Sequence, residues 1–408
     1  MMQAAGEPAT TIDEPYLLTL NIALIRRSDG RYFADPSWAK DLLLHTEYLT
    51  ALTLVCPYRD GEPPATWREI SSPGLRISAY RTTERGVGQY WAMTRLAARL
   101  LAEVPRARIV HAGVAGYPIP TGWLAVPIAR LLGKAIVIPV ESAFWRLPHG
   151  APAGRAARLK AAAWERINRY CLRQADYASY SHDRYRRTLP SPRAGGGELF
   201  QASWIDDEVV LSADAVAARH RSHGGGALRY LFATRMIAEK GTAILAESLA
   251  SLAAQNAELT IDILGEGTEL DRLRQAARTP WGERHVRILN PVPYGPVFFD
   301  LLGRYDAVLV PSLSDEQPRI IYDAYSQGVT TIASDTPGTQ ACVQHGGTGT
   351  LIPPGDATAL TAALMTADRG SLQEYGRAGR DLAARHTHRG MHRQRAAGLR
   401  RMLERSGG

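Results

Sequence analysis

Residues 312–328 read SLSDEQPRIIYDAYSQG and set Asp315 and Asp323 eight positions apart, on either side of an apolar Ile320–Ile321 pair. Pro318 suits the first residue of a helix, because its missing N–H would have had no partner there. The backbone amides from Arg319 and Ile320 onward then form an anion site, and Asp323 falls about one and a half turns into the helix. From there its carboxylate accepts hydrogen bonds from a vicinal diol lying along the helix. An acidic first turn facing the helix dipole accounts for Asp315 and Glu316 but not for Asp323.

Upstream, the stretch FATRMIAEKG puts Arg235 and Lys240 at the end of a strand and just before a helix. Two cations beside helix amides suit a diphosphate; a solvated loop with ordinary helix-start charges is the other reading. Lysine is scarce, with Lys40, Lys134, Lys160 and Lys240 the only four among 48 basic residues, so its presence here carries weight. The next strand ends in LGEGTEL, where Gly265 and Gly267 allow a tight turn and close backbone approach to a ligand, or simply a strand–helix turn. Two carboxylates around a diphosphate pocket fit a nucleotide-sugar, one reading the sugar hydroxyls and the other the ribose.

Strands alternating with helices must position these groups. In the first half YLLTLNIAL, LTLVCPY, LRISAY, ARIVHAG, KAIVIPVES and DYASYSH read as buried strands, separated by segments of 3.6-residue periodicity. The pattern breaks at AVAARHRSHGGGA and restarts at LRYLFAT, continuing through LTIDILG, VRILN, AVLVPSL and TTIASD. Thr268 and Asp271 have capping-box spacing for one of the later helices. The expected fold class is α/β, with two Rossmann-like doubly wound parallel-sheet domains facing a ligand cleft. The expected boundaries are an N-terminal acceptor-side domain over 1–215, a linker at 216–227, a donor domain over 228–385, and a C-terminal helix or tail at 386–408 packing back on the first domain.

Composition excludes several classes. The chain has 408 residues, 45% apolar and 22% charged, as in ordinary globular proteins. Its net charge of +8 comes without an aromatic-interleaved basic module, so anionic small molecules are expected rather than nucleic acid. Apolar runs fall short of the ~18 residues of a membrane span, and the N-terminal MMQAAGEPATTIDEP lacks the features of a signal peptide, so a cytoplasmic location is expected. Cys56, Cys171 and Cys342 have no metal or disulfide spacing. His386, His388 and His392 lie in a basic tail and read as a solvated terminus. With Asp-x-Asp absent as well, no metal is expected. The helix RAARLKAAAWERINRYCLRQ is basic and amphipathic, but its apolar face is mostly alanine, so core packing is expected over membrane-surface binding.

Residues from Tyr230 to Asp356 resemble the donor domain of GT-B type glycosyltransferases, closest to family 4. FATRMIAEKG resembles that family's Gly-Arg-x-x-x-Glu-Lys-Gly element, and SDEQPRIIYDAYSQG its E-x7-E motif, while SDTPGTQACVQHGGTGTLIPPGD resembles the closing segment. The resemblance implies a retaining, nucleotide-sugar-dependent transferase with Arg235 and Lys240 on the diphosphate, Asp315 on the sugar and Asp323 on the ribose. Thr234, Gly265, Gly267, Pro293, Glu316, Pro318, Arg319 and Ile320 are the further donor-binding candidates, Pro293 through the base-contacting strand end ILNPVPY. Asp315 and Asp323 replace the motif glutamates, each with about one methylene less reach, and Thr234 replaces the usual glycine.

On the acceptor side the resemblance is weaker, since the family's glycine-rich loop is replaced by IRRSDGRYFADPSWAKDL. Arg26, Asp29 and Gly30 there are low-ranking candidates, with a solvated loop as the alternative. His111 matches a strand end near the cleft, although a lone histidine is more often structural. Glu141, Ser142 and Arg146 follow the strand AIVIPV, where a carboxylate would bind an acceptor or take its proton; a helix cap by Ser142 is the alternative. The expected activity is sugar transfer to a small soluble hydroxyl, amine or thiol acceptor in secondary metabolism. A nucleotide-sugar 2-epimerase of the same architecture and a nucleotide-sugar-binding protein without turnover are the alternatives. No cofactor is expected beyond the co-substrate.

Overall fold

A computed structural model describes residues 11–82, 88–147 and 154–407. The chain forms two compact units; among the described residues one takes 11–147, 154–200 and 391–407, and the other 201–390.

The first unit contains β1 (Tyr16–Thr19), β2 (Leu24–Arg26), β3 (Tyr32–Ala34), β4 (Leu52–Val55), β5 (Pro57–Asp60), β6 (Arg68–Glu69), β7 (Leu75–Ile77), β8 (Tyr80–Arg81), β9 (Ile109–Ala112), β10 (Ala135–Val140), β11 (Tyr177–Tyr180) and β12 (Glu198–Leu199). Its main sheet has the order β12-β11-β10-β9-β1-β4-β7, and every neighbouring pair is parallel. The central strands β1 and β9 are buried along their whole length, as sheets covered on both faces require. The run YLLTLNIAL, expected as one strand, divides: β1 ends at Thr19 and β2 enters a separate mixed sheet of order β6-β3-β2-β5-β8. That second sheet was not foreseen. Its strands are two to four residues long, too short to give a periodic pattern.

A buried polar cluster joins the C-terminal segment to the first unit's core. His392 Nε2 lies 3.0 Å from Asp41 Oδ1, and Arg395 Nη1 donates to His45 Nε2 at 3.0 Å. His45 Nδ1 in turn donates to the Asp41 carbonyl (2.8 Å), and the Tyr16 hydroxyl lies 2.8 Å from His111 Nδ1. The tail histidines are therefore not a solvated terminus: His388 and His392 are buried, and His388 stacks on Trp204 within the second unit at 4.9 Å. Burial opposes the charge of Arg395, but Tyr48, Asp41, Tyr16 and Glu141 outweigh it and raise its pKa. Burial first, then Arg395 and His45, push the pKa of His111 well below the ordinary histidine value. His392 is lowered likewise by burial, against the opposing pull of Asp41.

The second unit contains β13 (Leu228–Ala233), β14 (Leu259–Leu264), β15 (Val286–Leu289), β16 (Ala307–Val310), β17 (Thr330–Ser334) and β18 (Gly349–Ile352), all parallel in the order β15-β14-β13-β16-β17-β18. Strand order reverses between β13 and β16, the topological switch where an open α/β sheet binds ligands. The segment expected as a linker carries most of helix Ala213–Ser222 instead. Val216 is fully buried there, and His220 Nε2 lies 2.9 Å from the Gly328 carbonyl. The changeover between units consequently falls at 200/201. The capping box at Thr268 does not form either: helix Leu270–Ala276 starts after Glu269, whose amide already donates to the Met236 carbonyl (2.9 Å).

Because His111 and His392 have depressed folded pKa values, the unfolded chain takes up protons that the folded first unit refuses once the pH falls below about 6.5. Stability should be full above that value and drop on acidification, by up to about 2 kcal/mol per histidine at pH 5. Chemical denaturation at pH 7.5 and pH 5 measures it; a His111→Phe variant should show a shallower pH slope.

Candidate functional site at the switch point of the second sheet

Two loops meet at the switch. One runs from the end of β13 through Thr234 and Arg235 to a short 3-10 turn, Ala238–Lys240, and then helix Thr242–Ala254. The other runs from the end of β16 through Ser312–Gln317 to helix Arg319–Ser326. The Glu239 carbonyl accepts from the Ser312 hydroxyl (3.1 Å) and from the Leu313 amide (2.9 Å), which ties the loops together. Gly241, at φ +81°, makes the approach feasible, since a Cβ there would stand 1.9 Å from the Pro311 carbonyl oxygen.

This packing brings Lys240 Nζ to 3.5 Å from Glu316, with both side chains partly exposed. Arg235 is exposed, and among the described residues its guanidinium has no partner. Asp315 is half-buried and likewise has no carboxylate partner among the described residues. The Ser312 and Ser314 hydroxyls accept from the Ser314 and Glu316 amides, both at 3.2 Å, and hold the loop in a fixed turn. A third loop supports it from the end of β17: a Cβ on Gly338 would lie 2.2 Å from the Glu316 carbonyl oxygen. Gly265 and Gly267 serve the chain's own close packing. A Cβ at either would meet the Thr234 or Met236 carbonyl oxygen, at 1.9 and 2.3 Å.

Pro318 is the cap of helix Arg319–Ser326 rather than its first residue, a one-residue shift that leaves the first amides, on Arg319 and Ile320, at the helix start. Asp323 is buried one turn in, and its Oδ1 accepts from the Tyr294 hydroxyl at 2.8 Å. Arg319 lies over the Trp204 ring, 3.8 Å from its centroid, and His388 stacks on the same indole. Gln317 anchors the loop from below, accepting from the Ala202 amide (2.7 Å). Pro293 is exposed beside Tyr294. Sequence reasoning missed Tyr294, Trp204 and the pairing of Lys240 with Glu316. Only Tyr294 left a trace, inside the strand-end string ILNPVPY.

The acceptor-side candidates in the first unit are scattered. Arg26, Asp29 and Gly30 sit on or beside the β2–β3 hairpin, whose turn Gly30 closes at φ +84°. Arg26 pairs with Asp60 at 2.8 Å, and Asp29 pairs with Arg27 and Arg31, so these charges already have partners. Arg146 is held by Glu165 (2.7 Å) and Thr188 (3.0 Å) and belongs to the fold rather than to a free acceptor surface. His111 is buried within β9, bonded to Tyr16, and offers no open ligand surface. Glu141 and Ser142 are half-buried directly after β10, and Glu141 acts electrostatically on Arg395.

Asp41, His45 and His392 bring ligand-type atoms within 4.8 Å of one another. That group suits a proton network better than a metal, because the Arg395 guanidinium already uses the lone pair of His45 Nε2. A cavity of about 340 Å³ in the second unit, lined by Arg229, Asp262, Arg287 and Tyr305 among others, is separate from the switch-point loops. No helix among the described residues is long and apolar enough to cross a membrane.

The family model for Glycosyl transferases group 1 matches residues 227–367, the stretch that holds every switch-point loop. A glycogen synthase of Mycobacterium tuberculosis is 29% identical over 45% of this chain and 44% of its own length. The chain covers less than half the length of the curated relatives it matches. Among solved structures, sucrose-phosphate synthase from Thermosynechococcus elongatus superposes with a TM-score of 0.67 at 17% identity, covering 96% of this chain and 100% of that one. Anabaena HepE in complex with UDP gives 0.62 at 14% identity, over 94% and 99%. These likenesses show the GT-B fold.

Replacing Gly241 with alanine should cost the second unit at least roughly 1–3 kcal/mol, from the left-handed backbone alone. Gly226→Ala, at a site where a Cβ meets nothing within 4 Å, should stay within about 0.5 kcal/mol. Urea denaturation of the two variants against the parent makes the comparison.

Proposed function

We propose that this GT-B chain, whose residues 227–367 form a glycosyl transferases group 1 domain, moves a sugar from a nucleoside diphosphate to a small hydroxyl, amine or thiol acceptor. The observation that carries the reading is the convergence of Arg235, Lys240 and the amides of helix Arg319–Ser326 at the switch of the second sheet. That HepE was solved with UDP supports a nucleotide donor for this fold.

In the proposed reaction the bond between the anomeric carbon and the terminal phosphate oxygen breaks, and a bond from that carbon to the acceptor atom forms. Negative charge grows on the departing diphosphate, where Arg235, Lys240 and the helix amides stabilise it more strongly than in the ground state. Glu316 holds the Lys240 ammonium near the site before donor arrives, through a partly shielded contact at 3.5 Å. Asp323 reads the ribose diol and Asp315 the sugar. Transfer is proposed to proceed with retention, the acceptor's proton passing to a donor phosphate oxygen. This route requires no protein base, which accords with a buried His111. A soluble acceptor of secondary metabolism remains the proposed substrate class.

Lys240→Ala should lower kcat on the order of 10²-fold, the typical loss of one charge-stabilising donor. Its melting temperature should barely move, because a partly exposed ion pair contributes under about 1 kcal/mol. Nucleoside diphosphate release in the presence of acceptor reports the rate; parent-like turnover in the variant contradicts the assignment. Conversion of one nucleotide-sugar into another without acceptor would instead mark an epimerase.

A further inference from the structure

We propose that the cavity of about 340 Å³ in the second unit binds the phosphate monoester of a small organic molecule, at a site separate from the switch-point loops and independent of the donor reading. The cavity lies on the sheet face shared by β13, β14 and β15. Alternation along these strands turns Leu231, Leu264 and Leu289 toward helix Pro296–Leu302, and Tyr230, Ile261 and Ile288 toward the opposite face. Arg229, Asp262 and Arg287 have the parity of the first set, and Leu231, Asp262 and Arg287 stand in register across the three strands. Charged side chains therefore share a core-facing surface with leucines.

A carboxylate on such a face requires partners. Asp262 is 2% exposed and has three: Oδ1 accepts from Arg287 Nε at 2.8 Å, and Oδ2 from Arg287 Nη2 at 2.6 Å and from the Tyr305 hydroxyl at 2.7 Å. This two-pronged pairing holds the Arg287 guanidinium in one orientation although the side chain is 70% exposed. Its Nη1 has no hydrogen-bond partner among the described residues. Arg229 and Arg304 line the same cavity, and among the described residues neither guanidinium has a hydrogen bond or an ion pair. Three guanidiniums thus meet one carboxylate, an excess of two positive charges. Solvated arginines on an open surface spread apart, whereas cations converging on a concavity focus a field that draws in an anion.

Charge and shape select the ligand. A phosphate monoester carries close to two negative charges at neutral pH and presents three acceptor oxygens, which matches both the excess charge and the planar forks of arginine. Leu289 and Leu301 line the rest of the cavity, so an organic body attached to the phosphate has apolar surface to cover. Position separates this site from the donor's. Arg229 precedes Thr234 by five positions along β13, roughly 16 Å of extended chain, so a phosphate held by Arg229 is not the diphosphate assigned to Arg235 and Lys240.

The test is calorimetric titration of ribose 5-phosphate, inorganic phosphate and ribose into the intact parent and four variants: Arg229→Gln, Arg304→Ala, Lys240→Ala and Arg278→Ala. Arg278 is exposed, belongs to the same unit and lies outside the cavity, so its variant controls for net charge. Ribose 5-phosphate should saturate the parent and bind more tightly than inorganic phosphate, and ribose should not bind. Arg229→Gln and Arg304→Ala should each weaken ribose 5-phosphate roughly tenfold, with Lys240→Ala and Arg278→Ala within about twofold of the parent. Both cavity variants remove side chains without partners and should melt like the parent; Arg304→Gln takes the place of Arg304→Ala if that variant does not. Absence of saturable binding overturns the proposal, as does an equal loss in Arg278→Ala, which marks general charge attraction. A loss confined to Lys240→Ala places the phosphate on the switch-point loops, which overturns the cavity site and leaves the donor reading standing. Equal affinity for inorganic phosphate and ribose 5-phosphate overturns the assignment of an organic ester.

Discussion

A single carbonyl, that of Glu239, accepts from both the Ser312 hydroxyl and the Leu313 amide and so binds together two loops that belong to strands adjacent in space but remote in sequence. Parallel sheets of this order leave a crevice where strand order reverses, and a crevice alone does not place side chains. The tie places them. With the loops joined, Lys240 comes within reach of Glu316, the Ser312–Gln317 turn is held, and helix Arg319–Ser326 starts at a defined point. Gly241 and Gly338 are the steric conditions, since side chains there would push carbonyl groups apart.

The two units stabilise cations by opposite means. Arg395 is buried and surrounded by Asp41, His45 and two tyrosine hydroxyl groups, an arrangement that resists exchange with an outside ligand. Buried networks of this kind rigidify a core when every member is satisfied. Arg235 and Lys240 lie at the surface or in a shallow setting, with one modest ion pair between them and the carboxylates nearby. Such cations are loosely compensated and suit an anion that arrives and leaves. Structural charge and charge for binding are thus separable by burial and by number of partners.

Much of this was legible in the sequence. The switch-point loops announced themselves because a scarce lysine, a proline and two aspartates interrupt apolar strand–helix runs, and strand alternation made the parallel sheets readable. What escaped depends on contacts between distant segments. Tyr294 and Asp323 are 29 positions apart, and Trp204 meets Arg319 from outside the expected donor domain. The tail histidines look like a solvated terminus by composition, whereas Asp41, on a helix near the other end of the chain, draws His392 inside. Glycines were recognised as sites of close approach, but sequence does not say whether a ligand or the chain's own carbonyl approaches. The 216–227 segment reads as a linker from its glycine triplet, although buried Val216 and the contact of His220 with the Gly328 carbonyl fix its helix to the second unit.

The central claim is that the loops joined at Glu239 form a diphosphate site. Hydrogen–deuterium exchange of the intact chain, without ligand and with a saturating panel of nucleoside diphosphates, addresses it most directly. At least one nucleotide should slow exchange in peptides covering 235–241 and 315–323, with little change around the Arg229–Tyr305 cavity. Protection confined to that cavity, or no protection with any nucleotide, would contradict the account.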